Sequence, residues 1–264
     1  MEIPFFKFHG ALNDFVVLDG RDRRLTFINA DQVKRLCDRR AGVGADGVIV
    51  LKKDDQGLRM VYYNSDGFEG SMCGNGGRCF AAFARMLELT KEEVVFRAYD
   101  GEHRAQILNF ENDRYWVALE MGDVETLEIK DGCYVLNTGS PHFVRFSESV
   151  KDLDVVSLGR SIRNAPPYSK EGINVNFAAI AHPGINIRTY ERGVEAETMA
   201  CGTGSVAVAI AAYEAGLVSD SKNIQVHTLG GTLEISFTKV EGRYTNIVLT
   251  GPATMVFQGT ILLD

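Results

Sequence analysis

Short apolar runs bounded by turn residues, the pattern of strands, recur along this 264-residue chain, and a few stretches carry helical spacing. Residues 5–9 and 15–19 predict two strands around a turn at 10–14. Residues 31–39 carry helical spacing at Val33, Leu36 and Cys37 and close on basic residues. After a loop at 42–47, residues 48–51 and 58–63 predict a hairpin across 54–57. The stretch 64–67 turns the chain toward Cys73, a helix follows to about residue 89, and strands resume at 94–96 and 103–108. The second half is patterned in the same way. Strands are predicted at 116–119, 134–136 and 142–146, then a helical or irregular piece at 155–162 that ends before Pro166-Pro167, and a hairpin of 173–180 with 185–190. A turn at 191–193 leads to a helix after Cys201, and strands at 224–229, 233–237 and 247–249 follow.

The stretch 206–215 is apolar on nearly every face of a helix. Such a helix is buried all round, so sheet must wrap it. The order of strands, cysteine, helix and strands occurs once in each half, which implies duplication with a boundary near 111–115. The expectation is an α+β fold of two pseudo-symmetric halves, 1–114 and 115–252, each enclosing one central helix.

Composition narrows the function. The apolar fraction of 45% is that of a protein with a real core, and the net charge of −7 argues against nucleic acid as a partner. The first residues lack the basic stretch and small-residue cleavage site of a signal peptide, and no apolar run approaches the roughly 18–20 residues of a membrane span. Five scattered cysteines do not make a disulfide framework, so the reducing cytoplasm is expected.

The chemistry is carried by a stretch that occurs twice. Cys73-Gly74-Asn75-Gly76 and Cys201-Gly202-Thr203-Gly204 both run straight into a small, apolar helix, half a chain apart. A helix N-terminus offers unpaired N–H groups and partial positive charge, which stabilise a thiolate and bind a carboxylate. A thiol tuned toward neutrality is both a usable base and a usable acid. Taken singly, either cysteine would read as a small buried hydrophobe; two in one context read as a pair of acid/base groups. Cys37, Cys79 and Cys133 lack that context and read as packing. Zinc fits poorly, because five residues separate Cys73 from Cys79 and no nearby histidine completes a site. A dinucleotide site matches only weakly at 202–207, and no acid ends the following strand. No Gly-Lys-Ser/Thr of a P-loop follows any glycine pair.

Seven motifs in order, Phe8-His9-Gly10 with Asn13-Asp14-Phe15, Asn64-Ser65-Asp66-Gly67, Cys73-Gly74-Asn75-Gly76 with Arg78-Cys79, Gly139-Ser140-Pro141-His142, Asn174-Val175-Asn176-Phe177, Tyr190-Glu191-Arg192-Gly193 and Ala200-Cys201-Gly202-Thr203-Gly204, resemble diaminopimelate epimerase over the whole chain. The resemblance implies two strongly curved, mostly antiparallel sheets, each around a central helix, with a C-terminal strand (253–264) returning to the first half. It implies a cofactor-free, metal-free epimerase, and a homodimer. Cys73 and Cys201 would serve as base and acid on opposite faces of one α-carbon, and His142 and Glu191 would tune them. The N–H groups of Gly74, Asn75, Gly202 and Thr203 would hold the reacting carboxylate. Arg192, whose planar fork suits a carboxylate, together with Asn13, Asn64 and Asn174, would grip the rest of a small amino-acid substrate; Glu191 belongs to that grip as well. Two departures bear on it: Ser140 stands where many relatives carry Asn, and Gly47 where they carry Gln.

Two other readings are compatible with the sequence. A proline or hydroxyproline racemase of the same fold would share both thiols but needs no distal grip, and Arg192, Asn64 and Asn174 favour the longer substrate. A non-catalytic amino-acid-binding protein on the same scaffold would be betrayed by loss of a thiol, and both thiols are present.

Overall fold

The computed structural model describes residues 2–21, 25, 28–70 and 72–263. The chain forms two units: Met1–Leu119 with Gly251–Asp264, and Glu120–Thr250. The division falls after Leu119, not at 114/115, because the strand opening at Arg114 stays on the first unit's sheet.

The first unit runs β1 (Glu2–Gly10), β2 (Asn13–Asp19), α1 (Ala30–Cys37), β3 (Gly47–Asp54), β4 (Gly57–Asn64), α2 (Gly74–Met86), β5 (Glu93–Ala98), β6 (Gly101–Glu111) and β7 (Arg114–Met121). Ala11 and Leu12, both at positive φ, make the tight turn between β1 and β2. α1 starts one residue earlier than its spacing suggests, because Asn29 and Gln32 close a capping box at 2.9 and 3.1 Å. α2 stops at Met86, short of residue 89. Glu88 turns to φ 55°, and the N–H groups of Glu88 and Leu89 fold back onto Arg85 and Ala84.

The second unit carries β8 (Leu127–Lys130), β9 (Cys133–Asn137), β10 (Pro141–Phe146), α3 (Val155–Asn164), β11 (Asn174–Ile180), β12 (Ile185–Glu191), β13 (Ala196–Thr198), α4 (Gly202–Glu214), β14 (Ile224–Thr228) and β15 (Gly231–Val240). β16 (Arg243–Leu262) follows. Its early residues pair with β15, and 254–262 pair antiparallel with β1; Asp264, the last residue of the expected returning strand, lies outside the described residues. The 155–162 stretch is a true helix, capped by the Asp154 side chain on the Ser157 N–H. The short β8 and β13, and the length of β16, were not expected from the pattern.

Duplication is visible in the pairing. From β1 to β7 successive strands pair antiparallel, parallel, antiparallel, parallel, antiparallel and antiparallel. From β9 through β10, β11, β12, β14 and β15 to β16 the same series recurs. α1 and α3 fill the first parallel crossover of each series, and α2 and α4 the second. The strands form one continuous sheet of 16 strands, where two sheets were expected, because β16 extends through both series; within each unit the strands are mostly antiparallel and curl around the helix. α2 packs on β1 through β6, and α4 on β9, β10, β11, β12, β14 and β15. From Val206 to Ala212 every residue of α4 has no exposed surface.

With strands on every side, α4 has no room for added volume. Ala209→Leu should cost about 1–3 kcal/mol of stability, read as a lower urea midpoint at unchanged slope. An unshifted midpoint would show that α4 is not enclosed as described.

Candidate active site

Each cysteine of the repeated motif is the residue immediately before its helix, with extended backbone. The ladders of α2 and α4 begin with Gly77 N–H to Cys73 carbonyl (2.7 Å) and Ser205 N–H to Cys201 carbonyl (2.9 Å). The amides of Gly74, Asn75, Gly202 and Thr203 precede those first bonds, so they are the N–H groups a helix start leaves outside its own ladder.

In the first unit the start of β2 meets the start of α2. The Cys73 thiol lies 3.6 Å from Asn13 Oδ1, and Asn75 Nδ2 donates to the same oxygen at 3.1 Å. Asn13 is oriented from behind, its Nδ2 donating to Asp46 at 2.7 Å. Arg39 bridges Asp46 (2.8 Å) and Asp14 (2.7 Å), and Lys7 bonds Asp14 at 2.6 Å and the Gly44 carbonyl. Burial alone would raise the Asp14 carboxyl; the bonds from Arg39 and Lys7 outweigh it and hold it at about 2. Asn64 closes β4, and its amide lies against Gly70, where an added Cβ would come within 2.9 Å of Nδ2. Gly47 has a reason to be glycine: a Cβ there would sit 2.6 Å from the Tyr62 ring and 3.1 Å from its hydroxyl. The phenol of Tyr62 occupies the space a side chain at 47 would take.

In the second unit His142 is fully buried on β10. Asn176 fixes its tautomer. The Asn176 amide nitrogen donates to the Phe143 carbonyl (3.0 Å), and its oxygen accepts from the Thr189 hydroxyl (3.0 Å). The same nitrogen therefore donates to His142 Nδ1 at 3.1 Å, which leaves the proton on Nε2. Nε2 donates to the Thr203 hydroxyl at 2.9 Å, and that hydroxyl lies 3.5 Å from Cys201 Sγ. The Gly204 N–H also reaches the sulfur, at 3.4 Å. Burial, and then the nearby Arg192 guanidinium, push His142 down to about 3, so the ring is neutral at physiological pH. Gly204 admits no side chain, since a Cβ would lie 2.5 Å from Asn176 Oδ1 and 3.2 Å from Cys201 Sγ.

A second cluster lies on the same unit. Asn174 accepts from the Arg192 backbone N–H at 2.8 Å and donates to the Ser140 hydroxyl at 2.9 Å; one Arg192 nitrogen reaches that hydroxyl at 3.5 Å. Ser140, one of the two departures, is thus built into the Asn174–Arg192 cluster. Glu191 closes β12 and accepts from the Thr198 hydroxyl at 2.9 Å. Sequence reasoning missed Asn176, which stands in the Asn174-Val175-Asn176-Phe177 motif, and it assigned Thr203 only a backbone role.

The remaining cysteines are packing residues. Cys37 and Cys133 belong to apolar clusters, and Cys79 has no exposed surface. Burial pushes the Cys37 thiol up to about 12 and the Cys79 thiol up as well. No cysteine is in a disulfide. Among the described residues no group of three or more His, Cys, Asp or Glu is placed to hold a metal, and no helix is long and apolar enough to cross a membrane.

The family model for diaminopimelate epimerase matches twice, at residues 5–127 and 134–256. A diaminopimelate epimerase of Flavobacterium psychrophilum is 45% identical over 98% of this chain and 100% of its own. That of Chlorobaculum tepidum is 39% identical over 96% and 99%. Among solved structures, a Bacillus anthracis phenazine biosynthesis protein of the PhzF family superposes over all of both chains with a TM-score of 0.76 at 14% identity. A hydroxyproline epimerase from Agrobacterium vitis gives 0.67 at 15%, over 100% of this chain and 93% of its own. These two share the fold.

His142 sets a pH limit. Its folded value lies below its ordinary 6.5, so on acidification the unfolded chain takes up a proton that the folded chain refuses. Its contribution is complete above about 6.5 and is lost as pH falls toward 3. Between pH 7 and 5 the wild type should lose about 2 kcal/mol more than His142→Gln, measured by urea unfolding at both pH values. Parallel losses in the two proteins would contradict the buried, neutral ring.

Proposed function

The chain belongs to the diaminopimelate epimerase family, whose members are isomerases, and on that premise we propose that it interconverts LL- and meso-2,6-diaminopimelate by two-base proton transfer, without a cofactor, through Cys73 and Cys201. The observation that carries this reading is the duplicated placement of a thiol before a buried helix, each held in its own network of polar side chains.

Inverting a stereocentre requires one group to remove a proton from one face and another to deliver a proton to the opposite face. Cys73 as thiolate takes the α-proton while Cys201 as thiol donates, and the reverse reaction exchanges the roles. Charge develops on the α-carboxylate as the carbanion forms. The amides of Gly74, Asn75, Gly202 and Thr203 are suited to hold it, because dipoles fixed in advance need no reorganisation during the reaction. In this reading neutral His142 acts on Cys201 only through the Thr203 hydroxyl, orienting it and steadying the sulfur's charge. Glu191, anchored by Thr198, tunes the thiols and contacts the substrate. Arg192, Asn174 and Ser140 form one hydrogen-bonded group that fits the distal amino-acid end, with Asn13 and Asn64 contributing from the first unit. The family also supports a cytoplasmic homodimer that serves lysine and peptidoglycan-precursor synthesis; sedimentation of the purified protein should give twice the chain mass.

Purified protein in deuterated water should exchange the α-proton of diaminopimelate and not that of proline; exchange with proline alone would overturn the substrate. Cys73→Ala and Cys201→Ala should each lower epimerisation by about 10²-fold or more. Full turnover in either would end the two-base reading. Arg192→Met removes a charged hydrogen bond worth roughly 1.5–3 kcal/mol, so kcat/KM should fall about 10- to 150-fold. An unchanged kcat/KM would remove Arg192 from the distal grip.

A further inference from the structure

The turn that carries Glu191 and Arg192 closes on a residue outside their motif. β12 ends at Glu191 and β13 begins at Ala196, and residues 192–195 form the loop between them. Glu195 holds that loop with both its backbone and its side chain. Its N–H donates to the Glu191 carbonyl at 2.8 Å, which fixes the span of the loop. Its carboxylate accepts three hydrogen bonds: from the Gly193 N–H at 3.1 Å, from Arg163 Nε at 3.0 Å and from the Tyr190 hydroxyl at 2.9 Å. The donors come from the loop, from α3 and from β12, so one carboxylate ties three segments together. Burial alone would raise the carboxyl; the bonds from Gly193, Tyr190 and Arg163 outweigh it and hold it below the ordinary carboxylate range. Glu195 also sits at φ 57°, a backbone region that residues with side chains seldom adopt. Glycine would take that conformation at less cost, so a glutamate there is explained by what its carboxylate binds.

α3 is built to reach this point. At Gly159 an added Cβ would run into the Cβ of Tyr190, so the helix approaches β12 closely. Arg163, one turn further along the same face, then meets Glu195. The Arg163 guanidinium also shares Gly172 with the stem of Arg192: a Cβ there would lie 2.9 Å from Arg163 Cζ and 2.9 Å from Arg192 Cδ. The two cations are treated differently. Arg163 is paired with Glu195, whereas the Arg192 guanidinium bonds the Glu171 carbonyl at 3.2 Å and the Ser140 hydroxyl at 3.5 Å, both neutral.

We propose that Glu195, clamped by Arg163 and Tyr190, is a positioning residue that fixes the turn bearing Glu191 and Arg192, so that the Arg192 guanidinium meets the distal carboxylate of the substrate already in place. Ordering a loop and a long side chain at the moment of binding costs affinity, and a turn fixed in advance avoids that cost. This role deepens the epimerase reading and rests on it for the substrate; the rigidity of the turn can be measured without it.

Full-length variants test the clamp by kinetics and by hydrogen exchange. Glu195→Ala should raise KM for diaminopimelate about 10-fold while kcat stays within about threefold, the split expected when binding and not chemistry is lost. Glu195→Gln keeps an acceptor for Gly193 and Arg163 and a bonding group for Tyr190, so it should recover most of that loss. Arg163→Met should raise KM less than Glu195→Ala does, and should add little to it in the double variant, because both act on one device. Amide exchange in a peptide spanning 190–199, read by mass spectrometry, should be about 10-fold faster in Glu195→Ala than in the wild type. An unchanged KM in a folded Glu195→Ala protein would overturn the inference, as would a Glu195→Gln protein as impaired as Glu195→Ala. If Glu195→Ala does not fold, Arg163→Met carries the test, and unchanged KM and exchange there would overturn the inference. A wild type that does not epimerise diaminopimelate would sink the functional reading alone. The exchange rates then decide the clamp, and equal rates in the wild type and Glu195→Ala would sink it.

Discussion

Each thiol depends on the start of a helix that is largely buried. A helix start in solvent presents its amides to water, and its partial charge is screened. Enclosed by sheet, the same amides are aimed at whatever occupies the space in front of them, and the field of the helix is felt at short range. The rest of each unit serves that condition. Strands pack against both α2 and α4, which is why the middle of each helix, Cys79–Ala84 and Val206–Ala212, is built from alanine and a few larger apolar residues. Glycines at 10 and 204 keep side chains out of the space that Arg78, Asn176 and Cys201 need.

The polar groups that reach these helix starts must each be satisfied, because buried polar atoms without partners are expensive. The Asn176 amide commits both its nitrogen and its oxygen to fixed partners and so dictates the histidine tautomer. Asp46 does the same for Asn13 with Arg39 behind it. A third layer of residues, none of which would touch a substrate, decides how the nearer ones point.

Much of this was legible in the chain, and the rest has identifiable physical reasons for being hidden. The helix starts at Cys73 and Cys201 could be read because glycines and small residues cluster there, and the stretch 206–215, apolar on nearly every face, announced the burial that the structure shows for Val206–Ala212. The roles of Asn176 and Thr203 could not be read from spacing. Their common partner, His142, lies 34 and 61 residues away, and periodicity reports which way a side chain faces, not what it meets. β8 has four residues and β13 three, too short for alternation to stand out from the surrounding chain. β16 hides its length because Gly251 and Pro252 look like a break, while the strand continues through them to pair with β1. The two departures from the family pattern were visible as letters, but only packing shows that Tyr62 fills the place of one and that the other joins Asn174 and Arg192.

The pairing of β1 with residues 254–262 has a consequence for how the molecule is made. In synthesis from the N-terminus, the strand that covers β1's outer edge follows β1 only after the whole second unit. The second unit can close while the first still carries an unpaired edge, the kind of edge that invites misassociation. The Pro252 carbonyl that meets Arg78 arrives with the same late segment. The first motif to be translated therefore acquires its finished surroundings only when the last strand of the chain has been made.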